Sequence, residues 1–436
     1  LYPSFLTPTQ SKGSIMQTDY PVIIIGGGTS GLMAAIHAAQ TGTSVLILEK
    51  NRILGKKLLL SGGGRCNVTN RTSQAELIKH IPGNGRFLYS ALSQFDQEDI
   101  IHFFNQRGIQ LKEEDHGRMF PTTDRSATIR DALVEDCLDL GVDIQTKTPV
   151  DKIRFNRGEQ KVEAITCKNG QTYTCRSLVL ACGGRAYPGT GATGDGYAWA
   201  KAAGHTIERL YPTEAPLLSD DSIIKEGRLK GVALRDVKVT LWNHKGKEIT
   251  HHQMDMLFTH FGYSGPAILR TSGHLNQYLY DSGQAEANMT IDLQPNHKIE
   301  TLKAQAENQR DKEVLTILKQ WMPEALAQVI IESLGLNPHQ TYKQVQHKDQ
   351  NQLFKTLKAF PITAKGSQPI EKGFVTGGGV STKEVNPTTM ESKYIQGLFF
   401  CGEFLDLNGY TGGYNISSAF ITGAVAGQHA GWNALS

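Results

Sequence analysis

"YPVIIIGGGTSGLMAAIHAAQTGTSVLILEK", residues 20–50, is the stretch on which the fold turns. Val22–Ile25 is a β-branched run suited to a fully buried strand. Gly26-x-Gly28-x-x-Gly31 follows at once. Leu32, Met33, Ala35, Ile36 and Ala39 then continue as a small-residue helix, and Val45–Leu48 is a second buried strand ending in Glu49. In such a unit the first glycine permits a tight turn, the second lets backbone approach a pyrophosphate, and the third lets helix and strand pack closely. The helix N-terminus offers free N–H groups and partial positive charge to phosphate. Gly26, Gly28, Ser30 and Gly31 are therefore expected to hold a dinucleotide. Glu49 is placed to accept from its adenosine ribose, with Lys50 beside it. A carboxylate there disfavours a 2′-phosphate, which points to FAD or NAD rather than NADP.

The C-terminus separates those two. "GLFFCGEFLDLNGYTGGYNISSAFITGAVAG" reads as a buried strand at Leu398–Cys401, a Gly402-Glu403 turn, a glycine-rich loop and a helix from about Asn415. FAD extends through a ribityl chain to a flavin ring and needs contacts far from the adenosine end. Glu403 is suited to the ribityl hydroxyls, Gly412 and Gly413 to close backbone approach, and the helix start at Tyr414–Asn415 to the flavin edge that becomes negative on reduction. The alternative is an ordinary βα unit with a glycine-rich linker. "SLVLACGG" (177–184) and "GFVTGGGVS" (373–381) return to the same domain, adding Ala181, Gly183 and Gly184; Val150 is a further expected contact. Gly189–Gly194 also fits G-x-G-x-x-G. It is separated from its strand and lacks a following acidic residue, so it reads as a loop shaped for close contact.

The chain has 436 residues, 39% hydrophobic and 20% charged, with a formal charge of +3. That balance fits a soluble protein of two or three domains, and no apolar run approaches a membrane span. Residues 1–19 lack the pattern of a signal peptide and read as a disordered leader. Six cysteines without a C-x-x-C pair argue against a disulfide framework, a zinc site or a dithiol couple, and favour a cytoplasmic protein.

A second glycine run, "LLLSGGGRCNVTN" (58–70), needs its own explanation. Three glycines weaken any helix or strand, and a flexible turn is the plain reading. Alternatively, Ser61 and Gly62–Gly64 present bare backbone N–H groups, Arg65 neutralises phosphate or a reduced ring, Cys66 and Asn67 face the ring edge, and Lys56 and Lys57 lie just upstream.

"GKKLLLSGGGRCNVTN", "HIPGNGRFLYSAL", "EEDHGRMFP", "TGDGYAWAKAAGH", "LFTHFGYSGPAIL" and "CGEFLDLNGYTGGYN" together resemble the BaiN/RdsA (YhiN-type) family of FAD-dependent oxidoreductases, over residues 20 to about 430. The resemblance implies a discontinuous Rossmann-type FAD-binding domain with an inserted β-rich, barrel-like domain that also carries helices. It also implies that Ser61–Asn67 packs against flavin and pyrophosphate. The corresponding boundaries are 20–203 with 362–436 for the α/β FAD domain, 204–296 for the β-rich insert and 297–361 for a helical subdomain. Within the insert, "DVKVTLWNHKGKEI" and "ANMTIDLQP" alternate as strands, and helical stretches at about 298–334 and 344–360 follow.

Catalytic candidates are Arg118, beside His116 in "DHGRMFP"; His260, with Thr259 and Ser264; Tyr410; and Cys66. Either histidine serves equally as a structural residue, and Cys66 as an inert packed thiol. No metal cluster is evident. The activities that the resemblance implies reduce a carbon–carbon double bond conjugated to a carbonyl, with NADH or NADPH as transient reductant. One substrate is a uridine of 23S ribosomal RNA, the other a steroid enone. Lys50, Arg52, Lys56, Lys57, Arg65 and Arg71, with Lys225, Arg228, Lys230, Arg235, Lys238, Lys245 and Lys247 in the insert, lean toward RNA; a solvated face is the alternative. The remaining readings are a flavin dehydrogenase of a small metabolite and a flavin-bound redox sensor without catalysis.

Overall fold

A computed structural model describes residues 17–156 and 158–436. Four short apolar runs and one half-buried strand form a parallel sheet in the order Leu398–Phe400, Ser177–Leu180, Val22–Ile25, Val45–Leu48 and Asp143–Gln145. The first four are buried throughout, which explains their unbroken apolar character. Residues 1–16 of the expected leader lie outside the described residues. Gln17–Asp19 is not leader: it is a strand, parallel to Thr172–Thr174, at the edge of a small sheet with Lys161–Cys167 and Val150–Asn156.

Two helices cross behind the glycine loops. Thr29–Ala39 follows the first strand, and Tyr414–Leu435 closes the chain. Gly423, Gly427 and Gly431 bring the second onto the first. Cβ atoms there would lie 2.4 Å from the Ser30 carbonyl oxygen, 2.1 Å from that of Ala34 and 2.4 Å from Thr41 Oγ1. This seam points both helix N-termini toward one side of the sheet.

The insert is a closed sheet. Leu217–Leu218, Gly262–Ser264, Glu248–Phe258, Ala233–Trp242, Ala287–Asp292 and Phe360–Ala364 follow one another antiparallel. The Leu218 N–H donates to Gly366 O (2.9 Å) and the Lys365 N–H to Leu218 O (3.0 Å), joining the last strand back to the first. The helices at Ile299–Glu307, Val314–Leu318, Glu324–Ser333 and His347–Lys358 share this core: Leu302, Leu318, Ile330 and Leu353 pack in one cluster with Val239, Met289 and Ile291. The nucleotide sheet has a separate core, drawn from residues 22–203 and 380–434. An antiparallel pair, Ile207–Thr213 with Val375–Val380, is where the chain crosses between the two. Among the described residues no helix is long and apolar enough to cross a membrane.

Candidate active site

The glycine turn behaves as its spacing requires. Gly26 has φ +109°, and a Cβ there would lie 2.4 Å from Ala181 O; one on Gly31 would lie 1.8 Å from Gly26 O. A Cβ on Gly28 would meet nothing within 4 Å, so this backbone is open. The run Gly62–Gly64 has φ of +56°, +67° and +87°, a left-handed path that residues with a Cβ adopt only at a cost. That conformation is the physical reason for three glycines before Arg65.

These segments line one cavity of 1680 Å³ between the nucleotide domain and the insert. Gly26, Gly28, Ser30, Glu49, Lys50, Lys57, Ser61, Gly62, Gly63, Arg65, Asn67, Val150, Ala181, Gly183, Glu403, Gly412, Gly413 and Asn415 all face it. Gly31, Gly184, Gly402 and Tyr414 do not; they act from behind the wall. A Cβ on Gly184 would strike Thr376 and one on Gly402 would strike Ser30, while the buried Tyr414 ring stacks on His80 at 4.5 Å. Thr190, Gly191 and Ala192, from the second G-x-G-x-x-G stretch, contribute a loop to the same wall.

The charged groups are mutually held. Glu49 is buried, its Oε2 accepting from the Gly27 N–H (2.7 Å) and its Oε1 from the Asn51 N–H (2.6 Å). Lys50 pairs with Asp195 (2.5 Å) and Lys57 with Glu403 (2.6 Å), which also accepts from the Thr376 N–H (2.8 Å). Arg65 pairs with Glu114 and Asp124 and lies over the Phe120 ring. Both carboxyls are held below their usual range, chiefly by hydrogen bonds from Arg65 to Glu114 and from Lys112 and Arg65 to Asp124.

The cavity fits an extended dinucleotide. At Thr29–Ala39 and Tyr414–Leu435 it meets two helix N-termini that have no side-chain cap and no acidic residue in the first turn. Gly28, Gly63 and Gly64 leave open space where a Cβ would stand, and Asn67 Oδ1 is buried without a hydrogen-bond partner. These are donors, an acceptor and bare backbone spread along one cleft.

Of the catalytic candidates, Arg118 and Tyr410 line the cavity. The Arg118 Nε–H donates to Asp115 O (3.0 Å). Two expectations need correction. His260 is exposed on the turn after Glu248–Phe258, its ring against Phe261, and does not reach the cavity. Cys66 is fully buried with φ +62°, and burial pushes its thiol up to about 12, so it neither faces the cavity nor ionises at neutral pH. The basic residues read as an RNA lean are also less available than their sequence suggests: besides Lys50, Lys57 and Arg65, Arg71, Lys225, Arg228 and Arg235 each have an acidic partner.

Two cavity groups escaped the sequence reading. Glu214, 3% exposed, sits just after the Ile207–Thr213 strand with φ +50°, and its Oε2 accepts from the Thr411 N–H at 2.8 Å. Arg270, from the insert helix Pro266–Ser282, donates through Nη2 to Thr411 O at 2.8 Å, while its Nε is buried without a partner. Both backbone groups of Thr411, in the glycine-rich loop, are thus held from two distant segments. A glutamate between a strand and "APLL" carries no local signal of this. Beside them the Tyr410 hydroxyl pairs with His274 Nε2 at 2.7 Å, and burial lowers both His274 and His252, the latter to about 3. Among the described residues no group of three or more His, Cys, Asp or Glu side chains is placed to hold a metal ion.

Comparison with known proteins agrees with this architecture. The HI0933-like protein Rossmann domain family matches residues 20–429. The chain is 32% identical over 414 residues to the ribosomal RNA dihydrouridine synthase of Escherichia coli, covering 94% of this chain and 97% of that one. It is 31% identical over 399 residues to the protein of the same name from Haemophilus influenzae (91% and 95%). A 3-dehydro-bile acid delta(4,6)-reductase from Clostridium scindens is 29% identical over 415 residues (93% and 98%). Among solved structures, the Mycobacterium smegmatis Sdh1 complex in the apo form aligns with a TM-score of 0.50 at 16% identity, covering 96% of this chain and 69% of that one, a likeness of fold alone. With its glycine turn, parallel sheet and inserted barrel, this chain belongs to the HI0933-like Rossmann family and is an oxidoreductase of the flavoprotein class.

Proposed function

We propose that the chain binds FAD, takes hydride from NADH or NADPH, and reduces the 5,6 double bond of a uridine in 23S ribosomal RNA to dihydrouridine. The observation that carries this reading is similarity over more than nine-tenths of the chain to two enzymes named for that reaction, joined to a cavity that suits a flavin dinucleotide. Bound FAD supplies the hydride transfer. The protein positions it: Gly26, Gly28 and the first helix at the pyrophosphate, Glu49 at the adenosine ribose, Glu403 with Lys57 along the ribityl chain, and Ser61–Asn67 with Gly412–Asn415 at the ring. Arg118 holds the substrate carbonyl as negative charge develops on its oxygen, with Tyr410 of the glycine-rich loop lining the same cavity. A ribosomal substrate places the enzyme in the cytoplasm. The domain boundaries proposed are 17–203 with about 367–436 around the cofactor and 204–366 as a cap; the boundary read from the sequence at 361/362 moves because Phe360–Ala364 is the last strand of the insert sheet.

The same chemistry serves a small enone, and one observation favours that second reading: Ile53, Leu60, Tyr187 and Phe374 are exposed apolar side chains lining the cavity. The deciding experiment is nucleoside mass spectrometry of 23S rRNA from cells with and without the gene, complemented by wild type and by Arg65→Ala. Loss of dihydrouridine on deletion, restored by wild type, is expected. An unchanged level refutes the RNA substrate, and enones are then screened by their ability to reoxidise the reduced protein.

A further inference from the structure

Reduction of a conjugated double bond needs a proton as well as a hydride, and no sequence motif marks the donor. A second, small cavity of 40 Å³ lies behind the insert side of the main one. Glu214, Arg270 and Tyr410 line both, and so form the partition between them. Polar side chains of His274, Gln277 and Asn408 reach the small cavity, and Asn408 Nδ2 is buried without a hydrogen-bond partner. Its volume exceeds the ~10–15 Å³ a water needs, and its lining supplies the two to four polar partners that hold one. On the main-cavity side, Glu214 is fixed by Thr411, a residue of the loop proposed to carry the flavin ring.

We propose that Glu214 delivers the proton to the α-carbon of the substrate, and that water in the small cavity behind it replaces that proton. This rests on the reading of the reaction given above. As hydride reaches the β-carbon, electron density passes to the carbonyl oxygen as an enolate. The enolate's π pair then forms the α-carbon–hydrogen bond as the Glu214 O–H bond breaks, and the carbonyl is restored. The resulting carboxylate keeps the Thr411 N–H bond and faces the Arg270 cation, until a proton from the small cavity neutralises it. Geometry gives Glu214 its two-sided access; burial adds the right protonation, pushing the carboxyl up to about 8 against the pull of the Thr411 N–H and Arg270. The titratable and charged groups that face it are Arg270 and His274 from the insert helix, Tyr410 from the loop and Tyr211 from the preceding strand.

The test compares FAD-loaded wild type, Glu214→Gln and Glu214→Asp in anaerobic stopped flow, each first checked for an unchanged bound-flavin spectrum and a single cooperative melt. The acceptor is 23S rRNA from cells lacking the gene, with a 3-oxo-4-ene steroid as a second. Reduction by NADH or NADPH is expected within about twofold of wild type in all three, because no proton from Glu214 enters that half-reaction. Reoxidation by the acceptor is expected to slow at least ~100-fold in Glu214→Gln, the usual scale for a lost general acid, and to recover in part in Glu214→Asp. The wild-type rate should fall as pH rises through about 8, and this limb should vanish in Glu214→Gln. Infrared difference spectra at neutral pH should show a protonated-carboxyl band in wild type that Glu214→Gln lacks. Reoxidation of Glu214→Gln within about threefold of wild type, or absence of that band, overturns the proposal. A wild type that is reduced but reoxidised by neither acceptor overturns the reading of the reaction itself, which separates the two failures.

Discussion

Replacing Gly427 by alanine tests whether the helix seam aims the cofactor site. In an exposed helix interior, glycine to alanine stabilises by about 1 kcal/mol through propensity alone. At Gly427 the new Cβ would lie 2.1 Å from Ala34 O and 2.7 Å from Ala34 C and Cα. Backbone cannot rotate aside, so the helices must part by roughly 1 Å to approach the ~3.5 Å of ordinary contact. Overpacking of this kind costs ~1–3 kcal/mol, here toward the upper end. The net expectation is a loss of ~2 kcal/mol, and at ~2–4 °C per kcal/mol in mid-sized domains a fall in Tm of ~4–8 °C. Gly423→Ala, against the Ser30 carbonyl, should behave similarly, and Gly431→Ala less severely, because its nearest atom is a rotatable Thr41 hydroxyl. Both helices begin at the cavity, so Gly427→Ala should also release FAD faster. Thermal melts with and without added FAD, and the dissociation rate of bound flavin, measure this. A Gly427→Ala protein as stable as wild type would refute the idea that this contact sets the helix spacing.

Glu49→Gln is expected to weaken FAD binding ten- to a hundredfold, the equivalent of ~1.5–3 kcal/mol for charged hydrogen bonds; titration of FAD into stripped protein measures it, and equal affinity refutes the ribose role. Arg118→Ala should slow reoxidation by substrate while leaving reduction by the nicotinamide unchanged, which stopped-flow absorbance separates. In native protein at pH 8, Cys66 and Cys401, each pushed up to about 12 by burial, should resist an aromatic disulfide reagent and react only on unfolding; rapid labelling of either under native conditions contradicts the packing described. Stability should also depend on pH with two signs. Buried His37, lowered to about 4, and His252, lowered to about 3, take up protons more readily when unfolded, so stability falls as pH drops below about 6.5. Glu214, raised to about 8, holds its proton better when folded, so its contribution is complete below about 4.5 and is lost as pH rises through 8. Denaturant melts of wild type and Glu214→Gln should therefore draw apart in favour of the variant over that window.

The glycine turn, the buried strands and the long C-terminal helix were legible because each rests on local chemistry. A β-branched run, a glycine at a forced φ and a small-residue helix announce themselves within a few residues. The barrel strands could be read from alternation, but not their closure through Leu218 and Gly366, which joins segments about 150 residues apart in sequence. Cys66 illustrates the limit. Its place after Gly62–Gly64 suggested a group facing the cavity, yet its own positive φ turns it into the core.

By itself the sequence determined that this chain builds a dinucleotide cradle from Gly26 to Glu49 and a second glycine-rich wall from Gly409 to Asn415, since those conformations depend on residues adjacent in the chain. Only the tertiary structure decided which charges meet. Lys57 with Glu403, and Glu214 with Arg270 about Thr411, are brought together by chain crossings between the two cores, and Arg65 with Glu114 by folding within the nucleotide domain. Burial, which gives a carboxyl such as Glu214 its proton at neutral pH, is a property of what surrounds a residue in space, and no spacing along the chain encodes it.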